Sequence, residues 1–127
     1  MKKIIIISFL FNYILCFSQE TTASKNVSTF TIEAKQLNST KKIWVYLPEN
    51  YTTSNKKYPV IYMHDGQNLF DAKTSYVGEW NVDETLDSIR AQVIVIGIEH
   101  GGENRIDELT PCKHPKYNGG NADAYLN

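Results

Sequence analysis

The chain has 127 residues, room for one domain at most. It carries 13 Lys+Arg against 14 Asp+Glu, a formal net charge of −1. Losing Lys2 and Lys3 with a leader would take this from −1 to −3. That balance lacks the basic face nucleic-acid binding needs, so nucleic-acid partners are excluded.

Met1-Lys2-Lys3 opens the chain, and an apolar run follows from Ile4 to Phe17. A basic start, an apolar middle and a small residue before a polar stretch predict a secretory signal over 1–18, cleaved after Ser18. The competing reading, a membrane anchor, needs ~20 apolar residues, and this run is shorter. Cys16 as a lipoprotein cysteine is disfavoured by the bulky Leu15 before it, where lipoprotein signals resemble one another in having a small residue. The expected product is exported, periplasmic or secreted, with no stable membrane association after cleavage. Cys112 would then stand alone, which leaves no internal disulfide. It sits in a Pro-flanked polar loop with no basic partner, as a structural or incidental thiol.

Residues 19–27 are polar and rich in Thr and Ser, and are expected to form a flexible lead-in. The partial domain runs over 28–127. Thr29 to Ala34 alternates as a strand does, with Phe30 and Ile32 on one face. Lys35 to Thr40 is a turn. Lys42 to Leu47 is a second strand, with Ile43, Val45 and Leu47 on one side, and Trp44 and Tyr46 on the other. Pro48 stops it. These two strands are expected to pair antiparallel at the sheet edge. The pairs Lys41-Lys42 and Lys56-Lys57 flank strands and are expected to be solvated.

Val60 to Met63 is an apolar run predicted as a strand buried on both faces. His64-Asp65-Gly66 breaks it, and Gly66 lets the backbone turn sharply with its amides exposed. A strand delivering free N–H groups to one end of a sheet is the raw material of an oxyanion hole; an ordinary strand-to-helix loop is the alternative. Asn81-Val82-Asp83-Glu84 approaches a capping box, and Val82, Leu86 and Ile89 recur at helical spacing, so a helix is predicted over 82–90. Val93 to Ile98 is the most β-prone run. It is expected to be buried and parallel to 60–63, because a helix joins them. Arg105 to Pro111 and His114 to Gly120 are expected to be loops, and 121–127 the first turns of a helix.

The stretch Tyr-Pro-Val-Ile-Tyr-Met-His-Asp-Gly-Gln-Asn-Leu-Phe-Asp, residues 58–71, resembles the third strand and following loop of the esterase family known as "Putative esterase" in the α/β-hydrolase superfamily. That family includes enterochelin-type, feruloyl and acetylxylan-type esterases, S-formylglutathione hydrolases and mycolyltransferases. The resemblance extends over Ile43 to Tyr51, Gly78-Glu79-Trp80-Asn81, Val93 to Glu99 and Asn104 to Pro111, covering roughly 28–127. It implies an α/β fold: the amino-terminal part of a mixed, mostly parallel hydrolase sheet that ends before the nucleophile strand. It also implies a carboxylic ester hydrolase acting on a small-molecule ester of acyl, feruloyl or siderophore type.

Acyl transfer needs a nucleophile, a base, an orienting acid and an oxyanion hole. None of Ser8, Ser18, Ser24, Ser28, Ser39, Ser54, Ser75 or Ser88 stands in a G-x-S-x-G elbow. The chain is therefore expected to be the front part of a longer serine esterase, and inactive alone. By resemblance, the backbone N–H of Gln67, just after Gly66, is one oxyanion donor; otherwise Gln67 is a polar helix-entry residue. Asp65 either binds Arg105 or is a plain surface acid. Trp80 is either pocket wall or core. Arg105 and Glu108 resemble a segment that lines or supports the pocket, with a structural salt link as the alternative. His64 and His100 could join Asp65 or Glu99 at a metal, but no tight ligand spacing is present, so neither metal nor cofactor is expected. The rival to an esterase is a non-catalytic relative that binds a saccharide or another partner.

Overall fold

The computed structural model describes residues 20–127; the signal, its cleavage after Ser18 and Cys16 lie outside the described residues. Four strands form one sheet: β1 (Val27–Ala34), β2 (Ser39–Tyr46), β3 (Val60–His64) and β4 (Ile94–Ile98), in the order β1-β2-β4-β3. The β1–β2 and β2–β4 pairings are antiparallel, and only β3–β4 is parallel. The expectation of a mostly parallel sheet is thus corrected for the described strands. The long β1–β2 hairpin sets this balance: its tight turn passes through Asn38, at φ 47°, and returns the chain antiparallel.

The sheet's two faces follow the register. Trp44 and Tyr46 of β2 lie opposite Gly97 and Val95 of β4, on the same face as Met63 of β3. Leu69 and Phe70, from the loop after β3, complete this core, and Val82 and Leu86 of helix α1 (Val82–Ser88) pack against it. The opposite face carries Ile43, Ile96 and Ile98. At its end sit two short helices, α2 (Arg105–Leu109) and α3 (Ala122–Leu126). Arg105 to Leu109 is a helix where a loop was expected. At five residues it is too short to show periodicity, and contacts with α3 stabilise it: the N–H groups of Asn121 and Ala122 bond the carbonyls of Asp107 and Thr110.

β3 departs most from expectation. It pairs only with β4 among the described residues, and Ile61 and Tyr62 are 47% and 71% exposed, so it is not buried on both faces. Asn81 also differs: it adopts a left-handed conformation with no side-chain cap, so the capping box does not form. Asp83, in the first turn of α1, is fully buried and accepts the Ser24 N–H. Residues 21–26 lie along a row of acids. Thr21 and Thr22 bond Asp71, Thr22 also bonds Glu79, and Asn26 bonds Asp87. No helix among the described residues is long and apolar enough to cross a membrane.

Candidate active site

β3 and β4 are parallel, so both deliver their following loops to the same end of the sheet. After β3, Asp65 takes a left-handed conformation (φ 56°, ψ 44°) and starts a 3-10 turn over Gly66–Asn68. The Asp65 and Gly66 carbonyls accept from the N–H groups of Asn68 and Leu69, closing the turn. The N–H groups of Gly66 and Gln67 are its leading donors, and neither bonds any turn, loop or side-chain acceptor among the described residues.

The turn rests directly on β4. A Cβ at Gly66 would lie 2.7 Å from the Gly97 carbonyl carbon and 2.9 Å from Trp44 Cδ1. Two facing glycines let backbone meet backbone here, which fixes the height of the turn above the sheet. Leu69 and Phe70, both fully buried, anchor its far side. The Gln67 side chain is also buried, and its amide atoms have no partner among the described residues.

Asp65 and Arg105, 40 positions apart, meet as a two-pronged ion pair: Nε to Oδ1 at 2.8 Å and Nη2 to Oδ2 at 2.7 Å. The Arg105 hydrogen bonds hold the Asp65 carboxyl below its usual range, and Asp65 raises Arg105 in return. Glu108, one turn along α2 from Arg105, is buried. It accepts from Lys41 Nζ at 2.5 Å and from the Gly101 N–H at 3.0 Å. It supports the loop after β4 and does not line the cavity. Lys41 is correspondingly buried, not solvated as expected, because β2 begins beneath α2 and α3 and the pair shields it.

A cavity of about 980 Å³ opens beside the turn, lined by Asp65, Asn68, Tyr76, Val77, Trp80, His100, Gly102, Glu103, Arg105 and Ile106. Trp80 is half-exposed and stands on the wall of this cavity. Its N–H bonds the Asn68 carbonyl at 2.8 Å, tying that wall to the turn. His100 Nδ1 accepts the Gly102 N–H at 2.8 Å, which places the proton of the neutral ring on Nε2. His64 lies apart, its Nδ1 3.1 Å from the Tyr125 hydroxyl. Among the described residues no three His, Cys, Asp or Glu side chains cluster as metal ligands would. Sequence reasoning gave Asp65, Trp80 and Arg105. It missed Tyr76, Val77 and Ile106, whose only signal was apolar residues inside irregular stretches next to the two polar turns.

The family model described as "Putative esterase" matches residues 34–127. The chain belongs to that family. The uncharacterized protein YbbA of Bacillus subtilis (strain 168) is 36% identical over 76 residues, a span of 56% of this chain and 26% of that protein. The fold is similar to that of an IroE-like serine hydrolase from Shewanella oneidensis. There the TM-score is 0.64 and the identity 24%, covering 79% of this chain and 34% of that one. It is also similar to the BES protein from Bacillus cereus, with TM-score 0.58, identity 19%, and coverage of 85% and 44%. The chain therefore spans about a quarter of the curated relative and less than half of either solved structure. The four-stranded sheet thus matches part of the fold of each of these larger proteins.

Proposed function

We propose that this chain forms the amino-terminal part of an exported serine esterase that hydrolyses carboxylic esters of small molecules, of acyl, feruloyl or siderophore type. The observation that carries the reading is the Gly66–Gln67 turn. Its leading N–H groups bond no turn, loop or side-chain acceptor among the described residues, and the residues flanking it, Asp65 and Asn68, both line the cavity. A carbonyl carbon attacked by an alkoxide pushes negative charge onto its oxygen. The Gln67 N–H, held still by Gly97 below and Asp65 beside it, stabilises that charge without having to reorient. Gly66 supplies the close approach that sets the donor's position. Tyr76, Val77, Trp80 and Ile106 offer apolar wall to an acyl or alcohol group, with Arg105 fixed by Asp65 at the rim. The nucleophile, its base and the orienting acid come from outside these 127 residues, so the chain alone is inactive. Export rests on Met1-Lys2-Lys3 and the apolar run to Phe17.

The test is the gene product read past Asn127. A strand followed by G-x-S-x-G is expected, with p-nitrophenyl acetate hydrolysis abolished by Ser→Ala in that elbow. In that product Gln67→Pro, which removes the N–H, should lower kcat by about 100- to 1000-fold, whereas Gln67→Leu keeps the amide and most of the rate. Equal rates for the two variants, or a product with no elbow, would overturn the proposal.

A further inference from the structure

The Lys41–Glu108 pair is deeply enclosed, with each side chain 5% exposed. Such a pair contributes little net stability: removing two charges from water costs several kcal/mol, and an apolar pair of equal volume does as well or better. What an apolar pair lacks is direction. Glu108 Oε1 takes Lys41 Nζ from β2, and Oε2 takes the Gly101 N–H from the loop after β4. A Cβ at Gly101 would overlap the Glu108 carboxylate, so the loop backbone closes on it directly. Two acceptors facing two fixed donors set the rotation of α2 about its own axis. Arg105 lies three residues before Glu108, on the neighbouring part of the same helix surface. Its fork grips Asp65, whose left-handed backbone begins the Gly66–Gln67 turn. Left-handed φ costs an L-residue about 1–2 kcal/mol, less for Asp than for most, and the Arg105 fork offsets part of that cost.

We propose that Lys41 and Glu108 are positioning residues for the Gly66–Gln67 turn: they lock α2 onto the sheet at the rotation that lets Arg105 hold Asp65. The catalytic meaning of this coupling rests on the esterase reading; the coupling itself does not. It makes α2 a bracket between the loops after β3 and β4, so a change at the buried pair is felt at the oxyanion turn without contact.

The experiment measures ¹⁵N relaxation and the Asp65 carboxyl titration in the 127-residue chain and in Lys41→Met/Glu108→Leu. In the unaltered chain the amides of Asp65, Gly66 and Gln67 should show order parameters of about 0.85, falling below about 0.6 in the double variant. Asp65 should titrate higher there, toward the ordinary carboxylate range, while the Trp44 and Val95 amides keep their order. That last readout separates positioning from a general loosening of the core. Turn and titration unchanged in a folded double variant would overturn the proposal, as would a mobile turn in the unaltered chain. If the double variant does not fold, Arg105→Gln decides, since Arg105 is half-exposed and outside the buried pair. Loss of order confined to the turn supports the bracket, and a rigid turn overturns it. A gene product lacking the serine elbow would sink the esterase reading and leave these values as expected.

Discussion

Replacing Gly66 by alanine isolates the contact between the turn and the sheet. The new methyl would sit 2.7 Å from the Gly97 carbonyl carbon, 2.9 Å from its oxygen and 2.9 Å from Trp44 Cδ1, against an ordinary contact distance of 3.4–4 Å. Something must retreat by about 0.7 Å, the difference between 3.4 and 2.7 Å. Two of the three atoms are strand backbone in the β2–β4–β3 ladder, and Trp44 is buried in the core, so none can swing into solvent. Overpacking of this kind costs about 1–3 kcal/mol, and rigid neighbours put Gly66→Ala at the upper end. For a domain of this size that lowers Tm by about 10–20 °C. Thermal unfolding followed by far-UV circular dichroism measures it. Gly102→Ala is the control: nothing lies within 4 Å of its Cβ position, so only its φ of +62° is penalised, by about 1–2 kcal/mol. A Gly66→Ala variant within about 0.5 kcal/mol of the parent would refute the close approach, since overpacking predicts at least ~1 kcal/mol.

Lys41→Met alone should destabilise by about 3–5 kcal/mol in urea titration, because Glu108 is left buried without its cation, while adding Glu108→Leu should restore most of the loss. The acid limb of stability should follow three carboxyls. The Arg105 hydrogen bonds lower Asp65. Burial pushes Asp71 and Asp87 upward, but hydrogen bonds from Thr21, Lys73 and Thr22 to Asp71, and from Tyr46 and Asn26 to Asp87, outweigh it and leave both low. Folded values below the unfolded ~3.9 mean the stabilisation is present above that pH and lost as pH falls through the folded values. Urea midpoints should therefore be flat from about pH 7 to 5 and fall below about pH 4; a midpoint still flat at about pH 3 would contradict the assignment.

The elements legible in the sequence were those whose signal lies within a few residues. Trp44 and Tyr46 alternate with Ile43 and Val45, and the structure puts them on opposite faces as the period demands. The Ile94–Ile98 run is β-branched throughout except for Gly97, and it forms one of the two inner strands of the described sheet. The antiparallel bias was not legible, because strand direction depends on which strands pair and not on any one of them. Nor was the depth of Lys41. A lysine next to another lysine at a strand end looks solvated until α2, more than sixty residues later, brings Glu108 over it. The Asp65–Arg105 pair could be anticipated because opposite charges stood at two loops that parallel strands would bring together. The cavity's apolar wall could not, since Tyr76 and Ile106 share no periodic pattern.

The position of β3 has a consequence for handling the molecule. Its outer side offers a row of backbone donors and acceptors with Val60 and Tyr62 standing beside them and no lysine or proline within the strand to discourage company. An edge of that kind is a template for strand addition, so self-association is expected to grow with protein concentration. The same strand that presents the turn is thus, with β1, one of the two margins at which the described sheet ends.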